Sequence, residues 1–274
     1  MNPRDIHIVK PGSKVNLSEI NPSKTPGLRG KKADERAEAE RLHAENIEAN
    51  RLLQRKLWAE DKRSLLVVLQ GMDCSGKDGT IRNVFGPLNP QGCRVAGFKK
   101  PTSEELDHDF LWRVHKVTPA RGEITIFNRS HYEDVLAVRV LNLIPESQWQ
   151  LRYDHINDFE RTLSESGTHI IKIMLHISKD EQKERLQARL DDETRAWKFS
   201  LGDLETRKIW PEYAKAYEDV LERCSTERSP WFVIPADKKW YRNWAISTIV
   251  RQELESMDPQ PPAMPEELRG VKVD

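Results

Sequence analysis

The chain has too few cysteines to staple a fold, no net charge, and no apolar run long enough to cross a membrane. Its three cysteines, Cys74, Cys93 and Cys224, are scattered and lack any C-x-x-C spacing. That pattern argues against a disulfide framework or a zinc site and fits a reducing, cytoplasmic setting. The apolar run Leu65–Leu69 falls far short of the roughly 20 residues of a membrane span. The opening Met-Asn-Pro-Arg-Asp-Ile has no signal-peptide core. Lysine plus arginine total 44 and aspartate plus glutamate total 44, so any attraction for a polyanion must be local. Neither a nucleic acid nor a membrane is therefore an expected partner. The 274 residues are enough to bury one α/β core with a small lid and do not demand two domains.

Against these absences stands one dense stretch, Ser64-Leu-Leu-Val-Val-Leu-Gln-Gly-Met-Asp-Cys-Ser-Gly-Lys-Asp-Gly-Thr80. A short apolar run bounded by turn residues reads as a buried strand, and Gly71-x-x-x-x-Gly76-Lys77 follows it at once. In that order, backbone N–H groups close round a phosphate with the positive helix end behind them. Lys77 supplies a mobile charge for phosphates. Asp78 stands where a standard phosphate loop has the Ser or Thr that holds Mg²⁺. Asp73, inside the loop, is a second acid, which points to carboxylate-led coordination of a hard cation. For Asp78 two readings stand side by side, a metal ligand or a cap on the helix start.

Along the chain, residues 1–30 carry Pro11-Gly12, Asn21-Pro22 and Pro26-Gly27 and read as an irregular arm. Residues 31–60 read as an amphipathic helix with Leu42, Ala49, Leu53 and Leu57 near one face, set for core packing rather than a dimer contact. Further strands are expected at 94–98, 124–127, 170–177 and 231–235, and helices at 102–112, 178–190 and 240–257. Capping boxes at Thr102/Glu105 and Ser178/Glu181 open two of them. Strands alternating with helices predict a parallel five-stranded sheet covered on both faces. A single domain over 31–257 is expected, with an extended proline-rich tail over 258–274.

The strand at 124–127 runs into Asn128-Arg-Ser-His-Tyr-Glu-Asp134. Ligands of open α/β sheets sit beyond the carboxyl ends of strands, so this segment and the phosphate loop should face one crevice. An amide, Asn128, occupies the place where a kinase of this type has an acid, shifting the metal towards Asp73. Arg129 suits bidentate contact with phosphates, against a structural ion pair with Glu133 or Asp134. His131 reads as a hydrogen-bonded wall residue. Arg185 and Arg189 share a helix face at i,i+4, just before a polar segment, and the stretch at about 183–208 resembles a lid. Lys99, Lys100, Arg113 and Lys116 add charge on the same side. Lys238-Lys-Trp-Tyr-Arg-Asn-Trp244 reads as aromatic docking of the last helix rather than a nucleic-acid stacking patch.

Taken together, these blocks resemble family-2 polyphosphate kinases. The resemblance rests on Gly71-Met-Asp-Cys-Ser-Gly-Lys-Asp-Gly79, Phe98-Lys-Lys-Pro-Thr102, Asp109-Phe-Leu-Trp-Arg113 and Phe127-Asn-Arg-Ser-His-Tyr-Glu-Asp134. It rests equally on His176-Ile-Ser-Lys-Asp-Glu-Gln182, Arg185-Leu-Gln-Ala-Arg-Leu-Asp191, Trp197-Lys198 and Pro235-Ala-Asp-Lys-Lys-Trp-Tyr241. It spans roughly residues 30–255. It implies a thymidylate-kinase-like P-loop fold with a helical lid, and reversible transfer of the terminal phosphate of inorganic polyphosphate to a nucleotide with Mg²⁺, or Mn²⁺ in its place. Asn128 and the run after it resemble the subgroup accepting both AMP and ADP, with guanine nucleotides as further candidate acceptors.

The resemblance puts the catalytic roles on Asp73, Lys77, Arg129, Arg185 and Arg189, with Asp73 at the metal. Gly71, Cys74, Ser75, Gly76, Asp78, Gly79, Lys99, Lys100, Arg113, Asn128, Glu133 and Lys198 form the expected nucleotide- and polyphosphate-binding set. A homo-oligomer, dimer or tetramer, is expected. Two rivals follow from the residues. An ATP-dependent nucleotide or small-metabolite kinase would want a hydroxyl at 78 and an acid at 128. A non-catalytic nucleotide-binding regulatory protein with nucleic-acid affinity would want a basic stripe.

Overall fold

A computed structural model describes residues 2–273. Six strands form one sheet: β1 (Ile8–Val9), β2 (Ser64–Gln70), β3 (Cys93–Gly97), β4 (Ile124–Asn128), β5 (Thr168–His176) and β6 (Trp231–Pro235). Their spatial order is β1-β6-β5-β2-β4-β3. The five long strands are parallel, and β1 pairs antiparallel to β6 through Ile8 with Phe232 and Val9 with Trp231. The sequence predicts five strands; the sixth comes from the arm. Two residues are too short to show any periodicity, and only the edge of β6 makes them a strand.

Every residue of β2 is buried, as expected for a strand covered on both faces. Leu65, Val67 and Leu69 point into one core, with Leu57 of the helix Lys32–Glu60 and Ile246 and Ile249 of the helix Lys239–Met257. Leu66 and Val68 point into the other, with Tyr153 and Phe159 of Glu146–Glu165 and Val220 and Leu221 of Trp210–Cys224. From β2 the chain builds β3 and β4 on one side, then crosses to β5 on the other. The carboxyl end of β2 is thus the topological switch point, where open α/β sheets bind ligands. Register sets what lies there: Leu69 is beside Asn128 of β4, and Gln70 beside Met174 of β5.

The helix Lys32–Glu60 uses its apolar stripe for core packing. Its seam with the last helix also carries amides, with Asn46 donating to the Thr248 hydroxyl (2.8 Å) and Asn50 to the Ser247 carbonyl (3.2 Å). Tyr241 and Trp244 are buried in the core, so the aromatics of 238–244 do dock the last helix. The single helix predicted over 102–112 is instead two turns. Thr102 and Glu105 close their capping box, but the helix ends at Leu106. The Asp109 carboxylate then accepts from the Leu111 N–H (2.9 Å) ahead of Trp112–His115. Short polar side chains at 107–109 offer the backbone local bonds that compete with a helix. At Ser178 only half the box forms: its hydroxyl accepts from the Glu181 N–H (3.1 Å), while the Glu181 carboxylate turns to Arg185 (2.7 Å). Beyond Met257, as far as Val273, the chain forms no strand and carries a single helical turn at Glu266–Leu268. Among the described residues no helix is long and apolar enough to cross a membrane.

The arm is more ordered than its proline content predicts. A short helix, Pro3–His7, precedes β1, and Arg4 pairs with Glu253 of the last helix (2.7 Å). His7 is buried, with Nε2 2.7 Å from the Tyr241 hydroxyl, which itself donates to the Pro26 carbonyl (2.8 Å). One phenol thereby ties down both ends of the arm. Burial pushes the His7 pKa down to about 4 from 6.5. The unfolded chain takes up a proton at the ordinary value and the folded chain resists it. Stability is therefore full above pH 6.5 and drains as pH falls towards 4, by on the order of 3 kcal/mol. His7→Gln should flatten the urea midpoint against pH in that window. A wild-type minus variant difference with no slope between pH 6.5 and 4 would refute the assignment.

Candidate active site

The loop between β2 and the helix at Lys77 is built on backbone that most side chains avoid. Gly71, Cys74 and Gly76 all have positive φ, at 144°, 62° and 106°. At Gly71 a Cβ would lie 2.6 Å from the Leu175 carbonyl of β5, so glycine is required by space as well as by conformation. The loop is held by side chains of two helices. The Gly71 N–H donates to the buried Tyr217 hydroxyl (3.1 Å), and the Gln182 amide donates to the Asp73 carbonyl (2.8 Å). Arg207 in turn donates to the Gln182 side-chain oxygen (2.7 Å). The Ser75 hydroxyl is buried in the loop without a protein partner.

Lys77 is buried and folds back over the loop, donating to the carbonyls of Gly71 (2.7 Å) and Met72 (3.2 Å). Burial, and then the Arg129 charge, push its pKa down. Asp73 pairs with Arg129 at 2.5 Å, and Arg129 also reaches Glu133 at 3.9 Å. Arg129 leads out of β4 with φ 62°, a strained non-glycine geometry of the kind that clusters at functional sites. Asp134 is not its partner: it pairs with Arg152 (2.6 Å), and burial raises its pKa to about 6. The structural ion-pair reading of Arg129 and its functional reading thus meet in one place, because the pair it forms is with the candidate metal ligand.

Asp78 caps nothing. The helix Lys77–Thr80 has Gly76 at its N-cap and no side-chain cap bond. The Asp78 carboxylate instead accepts from the Asn128 amide (2.9 Å) and from Lys198 of the polar flap (3.1 Å). Burial works against the charge, but these two bonds prevail and hold its pKa below the usual value. Asn128, Asp78 and Lys198 therefore form one chain from the end of β4, through the phosphate loop, to the segment expected to act as a lid.

The two arginines expected to act together part ways. Arg189 donates to the Lys198 carbonyl (3.2 Å) and lies 3.9 Å from Asp203, knitting the flap to itself. Arg185 goes under the loop. Its guanidinium makes five hydrogen bonds: to the carbonyls of Cys74 (3.0 Å), Ser75 (3.1 Å), Ala236 (2.7 Å) and Asp237 (2.9 Å), and to Glu181 (2.7 Å). It stitches the phosphate loop to the end of β6. Arg113 is likewise turned inward, donating to the Lys99 carbonyl (2.9 Å) with Glu105 at 3.5 Å and the Phe98 ring beneath it. Lys99 and Lys100 are exposed beyond the carboxyl end of β3. His131 is the wall residue its sequence suggests. It is fully buried 3.2 Å from Glu160, which also takes Lys172 at 2.5 Å. Burial works against that carboxylate too, but Lys172 and His131 overcome it and bring its pKa to about 2.

Sequence reasoning passed over Gln182, Arg207 and Tyr217, which support the loop, and Arg242, which lies against it. Gln182 ends one of the motif blocks, and Arg242 follows another directly; those adjacencies were the available signal.

Arg185→Ala should remove about 3 kcal/mol or more of stability, since it leaves loop carbonyls and Glu181 without their partner. Arg189→Ala should cost no more than about 1 kcal/mol. Arg185→Lys should restore little, because an ammonium cannot serve the guanidinium's separated acceptors. Denaturant melts of the three variants check this; equal destabilisation by both alanine variants would refute it.

The family profile described as Polyphosphate kinase 2 (PPK2) matches residues 31–262. An AMP/ADP-polyphosphate phosphotransferase from Meiothermus ruber is 52% identical over 254 residues, covering 93% of this chain and 94% of that protein. An ADP-polyphosphate phosphotransferase from Rhodopseudomonas palustris is 44% identical over 217 residues, 75% of each. The crystal structure of polyphosphate kinase 2 from Arthrobacter aurescens TC1 superposes with a TM-score of 0.90 at 42% identity, over 100% of this chain and 94% of that one. The P-loop kinase fold, the motif order and these relatives agree, and the chain belongs to the polyphosphate kinase 2 family.

Proposed function

We propose that this chain transfers the terminal phosphate of inorganic polyphosphate, reversibly, to AMP and to ADP. The observation that carries the reading is the phosphate loop at the switch point, with an acid inside it and without the usual hydroxyl at 78 or acid at 128. Both departures disfavour an ordinary ATP-dependent kinase. The double acceptor is supported by the AMP/ADP name of the 52% identical relative. Guanine nucleotides are the second acceptor class to assay. Self-association into a dimer or tetramer is supported by the open edge of β3, with exposed Val95, and by exposed Trp58.

The donor set fits Mg²⁺. Asp73 and Asp78 offer carboxylate oxygens beside the loop, and Mg²⁺ is commonly held by one or two carboxylates plus substrate phosphates, keeping its waters. Asp73 would hold it, with Asp78 as second candidate and Mn²⁺ as an alternative ion; bound there, it would neutralise phosphate charge. Phosphoryl transfer asks for positioning and charge neutralisation more than covalent help. Lys77, now on two loop carbonyls, is the mobile cation for an incoming phosphate. Arg129, paired with Asp73, is the cation beside the loop that would neutralise phosphate with Asp73 held at the ion. Lys198 and Arg189 bring the flap over the crevice and exclude water.

The deciding assay is AMP or ADP with Mg²⁺ and polyphosphate, and no ATP. Product formation is expected from each acceptor; activity only on adding ATP would reject the reading. Lys77→Ala should lower turnover by about 10²–10³, and a variant within a few-fold of wild type would unseat Lys77. Asp73→Asn should lose activity that rising Mg²⁺ restores in part. An unchanged Mg²⁺ dependence at normal rate would make Asp73 purely an ion-pair partner of Arg129.

A further inference from the structure

Arg242 is 2% exposed, in the first turn of the last helix. Among the described residues its only side-chain hydrogen bonds are to the neighbouring Asn243 amide oxygen, from Nε (3.2 Å) and Nη2 (2.8 Å). Among the described residues no carboxylate pairs with it. Burying an ion without a counter-ion is strongly unfavourable. The guanidinium lies against the phosphate loop at Gly76 and Gly79. A Cβ on Gly76 would collide with Arg242 Nη1, and one on Gly79 would come within 3.2 Å of Nη2. Gly79 lies outside the spacing a phosphate loop demands; room for Arg242 explains it.

Arg185 approaches the same side of Gly76, with Nη1 3.5 Å from that Cβ position. Two cations are thus stacked behind one loop, and only Arg185 has a carboxylate, Glu181. Burial, then the charge of Arg185, lower the Arg242 pKa to about 10, so it stays protonated at neutral pH. The other titratable group facing it is His43, whose pKa is lowered mainly by burial, with a bond to the Asn83 backbone opposing and Arg242 adding to the fall. The surroundings therefore supply no negative charge.

We propose that Arg242 is the buried positive backing of the phosphate loop, and that the counter-ion it lacks in the protein is the phosphate chain bound on the loop's other face. Acting through the loop, it is a positioning residue and touches no substrate. This inference rests on the phosphate-loop reading above.

The test compares wild type with Arg242→Met, which keeps the chain and removes the charge. Tripolyphosphate and ADP are titrated separately in a calorimeter, beside melting curves of the ligand-free proteins. The Kd for at least one of the two should rise about tenfold or more in the variant, and the one that rises identifies which phosphate chain the loop holds. Ligand-free Arg242→Met should melt no lower than wild type, because it sheds an uncompensated charge. KM for that substrate should rise more than kcat falls. Arg242→Lys, which keeps the charge, should bind more tightly than Arg242→Met. Arg242→Gln repeats the comparison if the methionine variant does not fold. Unchanged Kd values for both ligands in a neutral variant overturn the inference, whatever the melting temperature. Wild type that binds neither ligand overturns the phosphate-loop reading instead, and this inference with it.

Discussion

A loop that turns its N–H groups inward to hold an anion must turn carbonyls outward, and those carbonyls need donors. Arg185 is the answer to that requirement. Its planar fork takes the outer carbonyls of Cys74 and Ser75 and joins them to the carbonyls of Ala236 and Asp237 at the end of β6. The positive φ of Cys74 and Gly76, the close approach of Gly71 to β5 and the position of Lys77 all presuppose a loop kept in that shape. Tyr217 and Gln182 complete the support from two other helices.

The cations inside the crevice are each held by protein groups. Lys77 rests on backbone carbonyls, Arg129 on Asp73 and Glu133, and Lys198 on Asp78. Lys198 of the flap meets the loop at Asp78, so one carboxylate joins the loop to the flap. A hydroxyl at 78 would make a weaker, uncharged contact, and an acid at 128 would repel Asp78 where Asn128 now donates to it.

Some of this was legible in local sequence. The strand–glycine loop–lysine order, the two capping sites and the five long strands depend on patterns within about ten residues, and each stands where local chemistry puts it. The motif blocks carried the family. What escaped has its partner far away in sequence. The edge strand at Ile8–Val9 exists because β6 offers it a ladder. The helix over 102–112 broke where Asp109 found a backbone donor. Arg185 and Arg189 share spacing on one helix, yet one guanidinium runs under the loop and the other into the flap.

The sequence by itself determined a phosphate-binding loop between a buried strand and a helix, in an α/β chain with its acids in unusual places. Glycine freedom, apolar runs and capping chemistry are properties of neighbours along the chain, and local residue order expresses them. Tertiary structure decided what each charge is for. Asp78 became the link between β4 and the flap, Arg185 a brace and Arg242 a cation without a carboxylate, because the partner of a charged side chain is set by packing. Residues such as Arg185 and Ala236 are separated by 51 positions. No local pattern encodes that distance; only the folded sheet closes it.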